Sequence, residues 1–215
     1  MEIALIADTH GMLPEIPEGA QIVIHAGDVG PDRDPIHWFR EVLYPWARKV
    51  DRPIYATFGN HDFIGQQRAM PEGCPANLRF LVDESIDIHG VRYWFSPWSL
   101  RFMDWAFMAN EKTLAEKYRH IPHNTEVIVS HGPPFGCGDR VPGEGHVGST
   151  ELAKRCLDLP QLRWVVCGHI HEGRGGHRLG QITVINASIV DARYQPVHSP
   201  VVINIEAKEK GEENG

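Results

Sequence analysis

Five short apolar runs of this chain each break off into an acidic, amide or imidazole residue, and that recurrence limits the folds open to it. Ile3–Ala7 runs into Asp8-Thr9-His10, and Ile22–Ala26 into Gly27-Asp28. Ile54–Phe58 runs into Gly59-Asn60-His61-Asp62, Val127–Ser130 into His131-Gly132, and Trp164–Cys167 into Gly168-His169-Ile170-His171. Ile182–Ile185 and Val201–Ile205 continue the series. Runs this short, rich in Val and Ile and without polar alternation, suit strands buried on both faces. Ile86–His89 and Val91–Phe95 flank Gly90 as a hairpin. Between the strands lie helical segments at Pro35–Val50, Glu111–Tyr118 and Ser149–Leu157, the last opened by a Ser suited to cap it. Doubly buried strands separated by helices predict an α/β layered sandwich.

In open α/β sheets the ligand site lies outside the carboxyl ends of the strands. A shared rim there would gather Asp8, His10, Asp28, Asn60, His131, His169 and His171: four imidazoles, two carboxylates and one amide. Such N/O ligation without thiolate suits borderline or harder divalent ions. Seven donors exceed what one tetrahedral ion uses and fit two ions sharing a carboxylate. In an extended segment Asp-x-His and His-x-His place both side chains on one side, so each pair can grip one small region.

Composition narrows the class. Hydrophobic residues make up 42% and charged residues 23% of the 215, which excludes a disordered or fibrous chain. Twenty-eight acidic against 21 basic residues argue against a general nucleic-acid coat, so a nucleic-acid substrate is not expected. No apolar run approaches the roughly 18 residues of a membrane span. Cys74, Cys137, Cys156 and Cys167 contain no C-x-x-C pair and read as free thiols of a reducing, cytoplasmic compartment. The reading is a single domain over residues 1–206 with a polar, disordered tail at 207–215. Thirteen histidines are an excess that points the same way as the motifs, toward metal.

The ordered set Asp8-x-His10, Gly27-Asp28, Gly59-Asn60-His61-Asp62, His131 and Gly168-His169-x-His171 resembles the calcineurin-like metallophosphoesterases. Further segments are similar to a narrower group, the metallophosphoesterase-domain-containing proteins related to class III cyclic nucleotide phosphodiesterases. These are Ser96-Pro97-Trp98, Asp104-Trp105-Ala106-Phe107, His131-Gly132-Pro133-Pro134, His171-Glu172-Gly173 and Ile185-Asn186-Ala187-Ser188. The resemblance implies a four-layer α-β-β-α sandwich of two mixed sheets. It implies two divalent or transition ions (Mn, Fe, Zn, Ni or Co). Asp8, His10, Asp28 and His171 would hold one ion; Asp28, Asn60, His131 and His169 would hold the other. A metal-bridging hydroxide would attack phosphorus, with Asn60, His61 and His131 contacting the substrate. His61 would stabilise the phosphoryl oxygen or protonate the leaving group, and Asp62 would orient its imidazole. One departure is visible: the family's second motif continues Gly-Asp-x-x-Asp or Arg, and position 31 here is Pro31.

The function implied is a dinuclear-metal phosphodiesterase on small phosphodiesters such as cyclic nucleotides. The alternatives are a phosphomonoesterase on nucleotides or proteins, and a non-catalytic metal-binding scaffold. Some residues stay open. His25 reads either as a donor to a ligand carboxylate or as a core histidine. Asn186 and Ser188 read as site rim or as turn caps. The aromatic span Tyr93–Phe107 reads as pocket wall, as a homodimer patch or as core. Gly132–Gly148 reads as a long functional loop.

Overall fold

The computed structural model describes residues 1–206, and the expectation for the tail at 207–215 lies outside the described residues. In chain order the strands are β1 (Glu2–Ile6), β2 (Ile22–Ala26), β3 (Ile54–Thr57), β4 (Leu78–Phe80), β5 (Glu84–Ile88), β6 (Val91–Ser96), β7 (Ser99–Leu100), β8 (Met108–Ala109), β9 (Val127–Ser130), β10 (Arg140–Val141), β11 (Gly145–His146), β12 (Trp164–Cys167), β13 (Gly175–Leu179), β14 (Ile182–Asn186) and β15 (Val201–Asn204). The α-helices are α1 (Pro35–Trp38), α2 (Tyr44–Val50), α3 (Phe63–Gln66), α4 (Glu111–Tyr118) and α5 (Thr150–Asp158).

The alternation of side chains along β1 explains the layers. Ile3 and Leu5 join one core and Ala4 and Ile6 another, so both faces are buried. Among the described residues, β1 sits in a five-stranded sheet of order β15-β1-β2-β3-β4. All its pairs are parallel except β15 on β1. A six-stranded sheet of order β13-β14-β12-β9-β6-β5 is parallel at its centre and antiparallel at both edges. The two sheets face each other through Ile3, Leu5, Ile24, Tyr93, Phe95, Val129 and Val166. Phe39, Leu43 and Tyr44 cover the outside of the first sheet. Leu114, Tyr118, Leu152 and Cys156 of α4 and α5 cover the second. This is the expected four-layer α-β-β-α sandwich of two mixed sheets. Each large apolar side chain fully buried in it contributes about 1.5–3 kcal/mol.

Two local differences from the sequence reading have physical causes. The helix expected over Pro35–Val50 is interrupted by a π-turn at Phe39–Leu43, where Tyr44 N–H donates to the Phe39 carbonyl. Pro45 follows, lacks an N–H and crowds the carbonyl four residues back, so the chain widens by one residue before it. The hairpin needs two turn residues rather than Gly90 alone. His89 (φ 49°) and Gly90 (φ 77°) both turn left-handed, the pattern of a tight primed turn, and the strand ends at Ile88. Helix starts follow their caps: Asn110 accepts from Thr113 N–H and Ser149 from Leu152 N–H. No helix among the described residues is long and apolar enough to cross a membrane.

Candidate metal centre

The expected ligands come from the carboxyl ends of β1, β2, β3, β9 and β12. Their convergence owes little to extended backbone, contrary to the period-two expectation. Asp8 (φ 52°), His10 (φ 42°), Asp28 (φ 54°) and His169 (φ 68°) are all left-handed, and His171 begins a 3₁₀ turn. Non-glycine residues held in that region store about 1–3 kcal/mol each, a cost that clusters at functional sites. Backbone bonds impose these turns: Asp8 N–H donates to the Gly27 carbonyl and His10 N–H to the Asp28 carbonyl. Glycine is required beside them. A Cβ on Gly27 (φ 96°) would lie 2.6 Å from His131 Nδ1 and 2.5 Å from the Phe58 carbonyl oxygen.

Three donor clusters form, each with its ligand atoms within 4.8 Å of one another: Asp8, His10 and His171; His10, Asp28 and His61; Asp8, Asp28 and His131. Asp28 belongs to two of them, its Oδ2 lying 3.8 Å from His10 Nε2 and 3.4 Å from His131 Nε2. Asn60 Oδ1 lies 2.8 Å from His131 Nε2, and the His169 ring centroid lies 5.0 Å from that of His131. All seven positions are thus brought together, although His169 enters the centre through its neighbour His131 rather than through a cluster of its own.

Three features fit this set to cations. His10 Nε2 is buried without a hydrogen-bond partner. His131 Nδ1–H donates to the Ala26 carbonyl at 3.0 Å and His171 Nδ1–H to the Asp191 carbonyl at 3.1 Å, so each ring turns its Nε2 toward a carboxylate of the centre, His131 to Asp28 and His171 to Asp8. Electrostatics agree. Burial, with the nearby His131, brings His169 down to about 3, and burial also lowers His10. Burial alone would lower His131, but Asp28, joined by Asp8, carries it up to about 9. Burial opposes a charge on Asp28, yet His131 and His10 hold that carboxyl well below its usual range. The centre therefore attracts positive charge to Asp28 and keeps its outer imidazoles neutral.

Asp62 does not do what the sequence suggested. Its buried carboxylate accepts from Val29 N–H at 3.1 Å, Gly30 N–H at 3.2 Å and Gly59 N–H at 2.8 Å. It therefore locks the β2 and β3 exits together and has no bond to His61. The partner of His61 Nδ1 is Asp32 Oδ1 at 2.8 Å. Asp32 was legible only as the residue after the unexpected Pro31, one place beyond the usual motif position. Burial and the Asp28 charge push Asp62 up to about 7 against its three amide bonds. Asp62→Asn turns an NH₂ toward a backbone N–H. It should lower the unfolding free energy by about 1–3 kcal/mol, the cost of an unsatisfied buried donor, measurable by urea denaturation.

The open residues also resolve. Gly27 N–H donates to His25 Nδ1, which leaves Nε2–H to donate to Thr9 Oγ1 at 2.9 Å, so His25 is a core histidine and touches no ligand carboxylate. Asn186 donates to the Gly138, Gly168 and Ile170 carbonyls, pinning the β12 exit from behind. The aromatic span divides. Tyr93 and Phe95 are inter-sheet core and Phe107 packs with Phe58. Trp105 lies 4.2 Å from the His61 ring, and exposed Phe102 lies 5.7 Å from that of His169. Tyr194, which carried no motif signal, lies 4.8 Å from His10 and 5.0 Å from His171.

The family model described as calcineurin-like phosphoesterase matches residues 1–173. Metallophosphoesterase domain-containing protein 1 of Homo sapiens and its Mus musculus counterpart are each 32% identical over 227 residues, covering 93% of this chain and 69% of theirs. A UPF0046 protein of Caenorhabditis elegans is 27% identical over 228 residues, covering 97% of this chain and 76% of its own. The solved structure of a 5′-nucleotidase precursor from Thermus thermophilus aligns with a TM-score of 0.46 at 13% identity, over 86% of this chain and 48% of that one. The family match runs from the first strand through His171, so it contains every donor of the centre, and the chain belongs to the calcineurin-like phosphoesterase family.

Proposed function

We propose that this phosphoesterase is a dinuclear-metal phosphodiesterase acting on small diesters such as cyclic nucleotides. The observation that favours a diester is a cavity of about 450 Å³ beside His169, lined by Leu100, Phe102, Val141, Val147 and Ile170 with Arg101 and Glu144 at its polar edge. An apolar berth next to the centre suits a bulky organic part that stays close to phosphorus, as the second group of an open-chain diester or the doubly tied nucleoside of a cyclic nucleotide does.

Asp8, His10, Asp28 and His171 would hold one ion and Asp28, Asn60, His131 and His169 the other. When bound, two such ions supply Lewis-acid activation and offset the two carboxylates, so an acidic protein presents a cationic pocket to phosphate. The residues do the rest. Asp28 Oδ2 faces both halves of the site, His10 on one side and His131 on the other, while its Oδ1 accepts from His61 N–H. The Val29, Gly30 and Gly59 amides on Asp62 hold the floor rigid. His61, held at Nδ1 by Asp32, keeps Nε2 for a proton to give to the leaving oxygen. Trp105 limits water on the outer side of that imidazole.

Rates on bis(p-nitrophenyl) phosphate, p-nitrophenyl phosphate, methyl p-nitrophenyl phosphate and cyclic nucleotides, with Mn(II) reconstitution, test the reading. The aryl diester should exceed the monoester in kcat/KM by about tenfold or more. Val147→Trp, which fills the cavity, should remove most of the advantage of the bulky diester over the methyl diester. Preference for the monoester would make the protein a phosphomonoesterase. No hydrolysis by a metal-loaded protein would leave the scaffold reading.

A further inference from the structure

We propose that Tyr194 is a positioning residue of the metal centre, holding His10 and His171 in their metal-binding orientations and closing that side to water. The proposal rests on the dinuclear reading above and assigns a role to a residue beyond the span the family model matches, which ends at 173.

Three observations carry it. The Tyr194 ring meets both His10 and His171 in T-shaped geometry, with centroids 4.8 Å and 5.0 Å away and interplanar angles of 64° and 82°. His61 lies at 6.2 Å, so one phenol borders three of the site's imidazoles. Tyr194 is itself left-handed, at φ 58°, a conformation uncommon for a bulky side chain and held only where surroundings demand it. The surroundings are a tight turn: Asp191 Oδ1 accepts from Arg193 N–H and Gln195 N–H, and Tyr194 N–H donates to the Asp191 carbonyl.

That carbonyl links turn and centre. The Asp191 oxygen that accepts Tyr194 N–H also accepts His171 Nδ1–H at 3.1 Å. One oxygen therefore sets the tautomer of His171 and the place of the ring packed against it. Partners of metal-binding histidines of this kind change metal affinity when removed. Tyr194 is 47% exposed, so its outer face is the solvent side of the centre and its loss does not open the core.

Calorimetric titration of the metal-stripped full-length protein with Mn(II), read together with bound metal counted after dialysis, tests the role without turnover. The parent should bind two ions. Tyr194→Ala should bind one as before and the other about tenfold or more weakly. Tyr194→Phe, which keeps the ring, should match the parent. Two ions bound by Tyr194→Ala with parental affinity would overturn the role while leaving the centre intact. Equal loss in the Ala and Phe variants would overturn it as well, since the hydroxyl and not the ring would then matter. A parent that takes up no ion would overturn the centre and the role together. Thermal unfolding of the stripped variants should coincide with that of the parent.

Discussion

Asp28→Ala should give a folded protein that retains no pair of divalent ions and turns over bis(p-nitrophenyl) phosphate about 10³-fold or more below the parent. The size follows from its place. Asp28 is shared by the cluster that holds His10 with His61 and the one that holds Asp8 with His131, so its removal weakens both at once. Folding should survive, because the lost carboxylate repels its buried neighbour Asp62 as well as attracting His131. Its charge contributes to pushing Asp62 up to about 7 and to carrying His131 up to about 9, and both should move back toward their ordinary values in the variant. What the fold loses is the acceptor for His61 N–H at 2.8 Å and the pairing with His131 at 3.4 Å. Metal counting after dialysis decides the matter: two ions retained by Asp28→Ala would remove Asp28 from the bridging position.

His61→Ala should separate binding from chemistry. It should keep both ions and lose about 10²–10⁴-fold in kcat, the range for a positioned general acid. The proposed task draws on how the imidazole is held. Its Nδ1 is taken by Asp32, its backbone N–H by Asp28, and its ring is flanked by His10 at 4.8 Å and Trp105 at 4.2 Å. Asp32→Asn retains an oxygen to accept from Nδ1–H and should lose only about tenfold or less, since the pair is solvent-exposed on the Asp32 side. Parental turnover by His61→Ala, with metal bound, would end its catalytic assignment. Loss of metal in that variant would make it a ligand instead.

The fold was largely legible because its strands are unusual in sequence. Ile3 to Ala7 and Val127 to Val129 are apolar at every position, which only a strand covered on both faces tolerates, and such strands imply helices outside and a second sheet or layer within. The convergence of the candidate donors was legible because each strand exit carries its own Asp, Asn or His, in an order that needs no knowledge of distance. Asp32 and Tyr194 were not. Asp32 reaches His61 across 29 residues and from an irregular loop whose path a shifted motif does not reveal. Tyr194 reaches its histidines from a turn about 20 residues or more away, and nothing in Asp191-Ala192-Arg193-Tyr194 marks it.

Hydrophobic patterning and residue type are local properties, and they were enough to fix the layers and to put seven candidate donors at one end of the strands. Tertiary structure decided which group serves which. Asp62 adjoins His61 in sequence and Asp32 lies 29 residues away, yet both are carboxylates able to hold an imidazole. Three backbone amides claim the buried one, and the exposed one is left to hold the imidazole. A hydrogen bond is a contest between donors in space, and its outcome is set only when the strands have brought the competitors together.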